Sequence, residues 1–335
     1  MTLLATEAPA NGRGRGAIEF ALLMPAILRA GALLLFAAIF IVFAIQSPLF
    51  LAPGNLLSIV SQSSILAVLA FGLTVVVIVG GDNALAGGID LSLAATMGLA
   101  AAVYATIVQL GQPEMVALGA ALAAGLGIGA LNAFSVVVLG MLPLLATLAG
   151  MTIATGLEQL ISKNATILVD SALTRFLGGT DAQGFPVLAY ALLVIAGLLG
   201  LGTRYTPLGL NMQAVGGNPL AARASGLGVS RYVAGSYLVS GLFGALGGLL
   251  SVSFLGASSK GAGEMLLPII AATFLGVVFS RRFVPTIAGT LAASLFIGML
   301  TNGFQLLNVS SYWVSGIQGV LTLLVVAATT TRPRA

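Results

Sequence analysis

The chain has 335 residues, of which 59% are hydrophobic and only 7% charged, against about 25% charged in a typical soluble domain. So few charges cannot cover a soluble protein of this size, and the sequence describes an all-α, polytopic protein of the lipid bilayer. It holds no cysteine and no histidine, which excludes disulfides, thiol chemistry, haem, the usual zinc sites and any Ser-His-Asp or Cys-His machine. Its net charge of +4 sits in the breaks between apolar runs, where it reports topology rather than nucleic-acid binding.

A spanning helix needs about 20 mostly apolar residues. Runs of that kind place ten spans, at about 27–46, 57–80, 90–109, 115–139, 142–162, 186–202, 231–251, 265–280, 284–302 and 313–329. Residues 1–26 form a cytoplasmic N-terminal segment, and 27–330 a single transmembrane domain. An interfacial helix over 17–28 is expected before the first span. A basic flank ahead of an apolar run also suits a cleaved signal peptide, but the run is long and no clear small-residue cleavage site follows it.

The third span opens on Gly87-Gly88-Ile89-Asp90-Leu91-Ser92. Asp90 suits a helix N-cap, accepting from amides two or three residues on, with its charge favoured by the helix dipole. The other reading gives Asp90 and Ser92 a role in gating or in a partner contact. Gly125 and Gly129 form a small-xxx-small pair, as do Ser240, Gly244 and Gly248, and such faces let membrane helices approach closely. Leu131-Asn132-Ala133-Phe134, followed by Gly140 and Pro143, is echoed five spans later by Thr301-Asn302-Gly303-Phe304, followed by Ser310 and Trp313. An odd offset makes this an inverted repeat, a common plan for transporters; chance likeness between apolar segments is the alternative.

The longest inner break after the N-terminal tail, 203–230, contains Asn218 as N-cap, Pro219 at the first helical position and Gly226 as stop, which define a short helix. Its alanines make a smooth surface and Arg223 a charged anchor. Two readings stand: a plain loop helix, or a rigid element that receives force from a soluble motor. With the N-terminus in the cytoplasm, Arg13, Arg15, Arg29, Arg204, Arg223, Arg231, Arg281, Arg282, Arg332 and Arg334 fall inside, and only Lys163, Arg175 and Lys260 outside. Ten against three is a strong positive-inside bias that puts both termini in the cytoplasm.

No G-x-x-x-x-G-K-[ST] phosphate loop exists, so the chain does not hydrolyse ATP by that route. Its carboxylates cluster at span ends (Asp90, Glu158, Glu264). Mid-membrane charge, usual in proton-coupled transport, is missing from every placed span. An ion-coupled secondary transporter using carbonyl and hydroxyl sites remains the alternative to an externally driven permease. Asn132, Thr147, Asn302 and Gln305, uncharged polar groups in or beside the repeated segments, are the candidates for a pathway that hydrogen-bonds a hydroxylated solute. Helix–helix hydrogen bonds are their other reading.

Three motifs, GGIDLS at 87–92, ALNAFSVVVLGMLPLLATLAGM at 130–151 and AVGGNPLAARASGLGVS at 214–230, resemble the permease subunits of bacterial ABC importers for monosaccharides, relatives of the branched-chain amino-acid permeases. The resemblance extends over about 50–330. It implies an inner-membrane, binding-protein-dependent importer of a monosaccharide or similar neutral polyol. A second permease chain (a copy or a related paralogue), two ATPase subunits and a periplasmic sugar-binding protein are implied as partners, with ATP and Mg held by the ATPase and no cofactor or metal in this chain. Asn218, Pro219, Ala221, Ala222, Arg223 and Gly226 match the family's coupling motif. Departures at 81–86, 93–95, Leu210 and 278–283 point to a divergent branch.

Overall fold

The computed structural model describes residues 30–31, 33–81, 88–258, 262–280 and 284–310, together with 313, 316–317 and 319–320. Helices dominate them: α1 (Leu33–Gln46), α2 (Pro53–Gly80), α3 (Leu93–Gln109), α4 (Glu114–Val137), α5 (Pro143–Ser162), α6 (Ala172–Gly178), α7 (Val187–Tyr205), α8 (Pro207–Gly217), α9 (Pro219–Ala224), α10 (Val229–Leu255), α11 (Leu266–Phe279) and α12 (Ile287–Leu306). Six of these, α2, α4, α5, α7, α10 and α12, are long and apolar enough to cross a bilayer, and α1, α3 and α11 are shorter apolar helices. The expected second to ninth spans coincide with α2, α3, α4, α5, α7, α10, α11 and α12 to within a few residues. The expected interfacial helix over 17–28 and most of the tenth span lie outside the described residues, although 313, 316–317 and 319–320 are helical.

Sequence decides which helix sits in the middle. α2 begins with Pro53, whose missing N–H is no loss in the first turn, and ends at Gly81, whose φ of 74° few other residues adopt. From Ile65 to Val79 the helix is apolar on every face but for Thr74, so this stretch has no side to give to water or lipid headgroups. It is buried almost continuously from Ser61 to Val79. α10 and α12 pack directly on it, with α11, α7 and α8 around them. α4, α5 and α7 lie outside this centre and are buried over only a minor part of their length, which suits helices wetted by lipid.

The two small-residue faces read from the sequence have distinct partners. A Cβ at Gly129 would collide with the Tyr237 carbonyl and one at Gly125 with that of Gly241, so α4 and α10 meet backbone to backbone. The Ser240–Gly244–Gly248 face turns instead to α3, where a Cβ at Gly248 would stand 2.6 Å from the Met97 carbonyl oxygen. Such close crossings maximise dispersion contact where no hydrophobic force drives association.

Alternate breaks gather at opposite ends of the bundle. At one end the segments after α3, α5 and α10 meet. β1 (Ile167–Leu168) pairs antiparallel with β2 (Ala257–Ser258), and Gln109 Nε2 donates to the Leu168 carbonyl at 3.2 Å. Glu114 accepts from the Ala172 and Leu173 amides at 2.6 and 3.2 Å, so its carboxylate sits on the first turn of α6. The strand pair and α6 were not anticipated: strands of two residues are too short to carry a periodicity, and α6 forms on a Ser171–Thr174 capping box rather than an apolar stripe. At the other end, Gly81 after α2 abuts Gly216 at the end of α8. There the break expected at 203–230 is mostly helix, since Pro207 and Pro219 start new helices where the chain turns.

Candidate functional site

α9 forms as its residues require. Asn218 Oδ1 accepts from the Ala221 amide at 3.0 Å, Pro219 occupies the first turn, and Arg223 lies in the last. The helix stops as the Gly226 amide closes on the Arg223 carbonyl at 3.0 Å and that of Leu227 on Ala222 at 3.0 Å, with Gly226 at φ 84°. Ala222 is buried in one cluster with Val75, Ile78 and Val79 of α2 and Met212 and Val215 of α8, and α9 packs mainly on α8, with lesser contact to α10. Ala222 therefore faces the bundle rather than an outside partner. Asn218, Pro219, Ala221, Arg223 and Gly226 are exposed. Exposed Arg204, Arg231, Leu208, Leu210 and Leu220 share this end of the bundle, and the Arg204 guanidinium lies 5.2 Å from the Tyr205 ring centroid. The result is a rigid surface with basic and apolar groups side by side, suited to an acidic or amphipathic protein partner.

A polar junction lies deeper, where the segment before α3 meets α4. Asp90 Oδ1 accepts from the Ser92 amide at 2.9 Å and the Ser92 hydroxyl at 2.6 Å. Asn132 Nδ2 donates to Ser92 Oγ at 2.8 Å and more weakly to Asp90 Oδ1 at 3.4 Å. All three side chains are buried. The expected amide two residues on is bonded, but the N-cap of α3 is Ser92, not Asp90. The reason is steric and local: Gly88 packs on the last turn of α2, so the chain turns once more at Leu91–Ser92 before the helix begins. Asp90 thus pins the loop ahead of α3 and, through Asn132, fastens it to α4.

The four residues proposed for a solute path are not brought together. Asn132 is committed to this junction. Thr147 is fully buried and donates to the Pro143 carbonyl of its own helix at 2.9 Å. Asn302 exchanges two amide hydrogen bonds with Asn55, at 2.9 and 3.0 Å, tying α12 to the start of α2. Gln305 is exposed. Asn55 was missed, although an asparagine in the first turn of an apolar run was a signal, because capping accounts for most such residues. Thr152 and Gln159 on α5 are also exposed. Polar groups on an outward face of a spanning helix are costly against lipid and mark a cavity or a protein neighbour.

On the face bearing α6, Asp181 organises the loop before α7. Its carboxylate accepts from Tyr190 Oη at 2.6 Å and from the Phe185 and Gln183 amides at 2.8 and 2.9 Å. The bond from Tyr190, with those from the amides, holds the carboxyl below the usual carboxylate range.

Comparison with known proteins gives this arrangement a context. The model of the family described as branched-chain amino acid transport system / permease component matches residues 55–326. The chain is 34% identical over 289 residues to the ribose import permease protein of Bacillus subtilis, covering 85% of this chain and 88% of that one. It is 32% identical over 285 residues to the ribose import permease protein of Escherichia coli, covering 84% and 87%. With the galactose/methyl galactoside import permease protein of Salmonella typhimurium it shares 30% over 303 residues, covering 84% and 88%. No solved structure gives a significant match.

Proposed function

We propose, from the premise that the chain belongs to this permease family, that it is the membrane-spanning subunit of an ABC importer for a monosaccharide or similar neutral polyol. The observation that carries the reading is α9, a capped and exposed helix packed on α8 beside the end of the central α2, in a chain whose relatives of nearly full length are named as sugar import permeases. A separate ATPase supplies the energy at the α9 face, and a periplasmic binding protein delivers solute at the α6 face. Two permease chains enclose the path.

The full topology is ten spans with both termini in the cytoplasm of a bacterium's inner membrane, as the ten-to-three charge bias favours. An inverted repeat relates α2–α4 to α10–α12. In its support, α10 packs on α4 and α3 much as α2 packs on α12 and α11. The two short apolar helices, α3 and α11, occupy corresponding places in the two halves, and short segments so placed point to the transport site in repeat-built transporters. Gln305, with Thr152 and Gln159, is assigned to the path or the partner permease. Asn132, Thr147 and Asn302 are assigned to helix contacts.

The test is uptake of radiolabelled ribose or galactose by proteoliposomes holding this chain with a partner ABC ATPase and a sugar-binding protein. ATP-dependent uptake that Arg223→Glu abolishes, by releasing the ATPase while the permease stays folded, is the expected result. Uptake by the chain alone on an ion gradient would overturn the reading. Because the chain has no cysteine, single substitutions at Gln183 and Ser225 also test topology. A membrane-impermeant maleimide should label Gln183→Cys from outside intact cells and leave Ser225→Cys untouched.

A further inference from the structure

Two of the sequence motifs, more than a hundred residues apart, close on the same turn of the same helix. The last turn of α2, Val77–Gly80, and the glycine that stops it are gripped from two sides by backbone alone. On one side is Gly216, the penultimate residue of α8, two before the Asn218 cap of α9. A Cβ on Gly216 would collide with the Ile78 carbonyl oxygen, and one on Gly81 with the Gly216 carbonyl oxygen. On the other side is Gly88, of the segment that leads into Asp90 and α3. A Cβ there would stand 2.6 Å from the Val76 carbonyl oxygen and 2.9 Å from Gly80 Cα. Real Cβ atoms essentially never come within 3.0 Å of a neighbour, and a carbonyl oxygen in a buried helix cannot rotate away as a side chain can. Neither contact accepts even a methyl group without moving the backbone.

Packing around the joint is equally specific. Val75, Ile78 and Val79 of α2 form one buried cluster with Met212 and Val215 of α8 and Ala222 of α9. Gly217, the very next residue after Gly216, has no neighbour within 4 Å of where its Cβ would stand. The close approach is therefore confined to one register of α8. Beyond Gly88 the same segment runs into the Asp90–Ser92–Asn132 hydrogen bonds, which reach α4.

We infer that Gly216, Gly81 and Gly88 form a rigid joint through which displacement of α9 is passed to the end of α2 and on to the α3–α4 junction, making Gly216 and Gly88 positioning residues for transport. The inference rests on the reading of α9 as the ATPase contact. A close-packed backbone contact transmits displacement with little loss, because protein interiors have low compressibility. A flexible side chain in its place would absorb motion of an ångström or so by changing rotamer. α2 is the element best able to distribute the push, since α10, α11, α12 and α7 all pack on it.

The experiment uses the full importer in proteoliposomes and reads three quantities separately: co-purification of the ATPase, ATP hydrolysis, and sugar uptake. Gly216→Ala and Gly88→Ala are expected to keep co-purification and to keep hydrolysis within about twofold of the parent, while uptake falls tenfold or more. Gly217→Ala, one residue from the joint, keeps all three. A merely structural role would lower the three together, and uptake that stays in proportion to hydrolysis in both joint variants overturns the inference. Should the alanine variants fail to fold, a cysteine pair at Ile78 and Val215 provides the second measurement. Oxidative cross-linking of the pair leaves uptake unchanged if the joint moves as one body; loss of uptake restored by reductant overturns it. Absence of the ATPase from the unmodified complex would instead defeat the functional reading and is seen before any variant is made.

Discussion

Replacing Asn218 by alanine isolates what the cap of α9 contributes. The helix has six residues, too few to form alone, and is held by the Asn218 cap, the closing bonds at Gly226 and Leu227 and the burial of Ala222. Alanine at Asn218 removes the Oδ1 acceptor of the Ala221 amide, a loss of about 1 kcal/mol for an N-cap. That free energy corresponds to a factor of about five in the equilibrium between closed and open helix. Hydrogen exchange of a peptide covering 218–227 should therefore accelerate about fivefold at the amides of Ala222 and Ser225, with the Ala221 amide, stripped of its acceptor, losing its protection and α2 and α10 unchanged. Asn218→Asp keeps the acceptor and adds a charge at the favourable end of the helix dipole, so its exchange should match the parent or slow slightly. If docking requires the closed helix, ATPase affinity falls only as the closed fraction falls, and so by less than the factor read in exchange. Unchanged exchange in the alanine variant would refute the assignment of the cap as the element that closes α9.

Three further outcomes follow from contacts elsewhere. Gly129→Ala, which drives a methyl into the Tyr237 carbonyl, should cost about 1–3 kcal/mol as overpacking, whereas Gly127→Ala on the same helix meets nothing within 4 Å and should be neutral to slightly stabilising in reversible unfolding in lipid. Asn302→Ala should cost about 1 kcal/mol, the usual scale of an interhelical hydrogen bond in a membrane, and a double-mutant cycle with Asn55→Ala should recover most of that as coupling. Asp181, whose carboxyl is held low by Tyr190, lends stability that is complete above the usual carboxylate range and is lost only as pH falls through its depressed value. Exchange protection of the Phe185 amide, corrected for intrinsic rate, should stay flat from neutral pH into the carboxylate range and drop below it, and Asp181→Asn should remove that step.

The apolar helices α2–α5, α7 and α10–α12 were legible because the bilayer imposes a length and an apolar composition on a spanning segment, and both are written directly in the residue order. α9 was legible for another reason: Asn218, Pro219 and Gly226 each act within one turn of themselves, so their chemistry is local. What stayed hidden depends on partners distant in sequence. Asn132 and Asn302 read alike as polar groups in apolar helices, yet one closes on Ser92 and the other on Asn55, and no local pattern separates a pathway amide from a helix clasp. Asp90 was read as a cap from its offset to the apolar run. Its true register, one further turn of chain ahead of α3, follows from the packing of Gly88 on α2.

The glycines carry the same point further. Gly127 and Gly129 lie two apart on α4, and Gly216 and Gly217 are neighbours at the end of α8, yet in each pair only one member touches backbone. Composition alone assigns all of them to general helix packing, and for most of the 44 glycines that is sufficient. Two of the close contacts sit where two motifs meet across the fold. Gly88 precedes a buried carboxylate and Gly216 precedes a helix cap, and both close on the end of one central helix. A motif such as GGIDLS or AVGGNP therefore holds two kinds of information: side chains that act on near neighbours, and a glycine whose purpose is visible only in the helix it lies against. On the proposed reading, in which an ATPase pushes at α9, it is the second kind that would decide whether the push arrives in the bilayer as motion or is lost in side chains along the way.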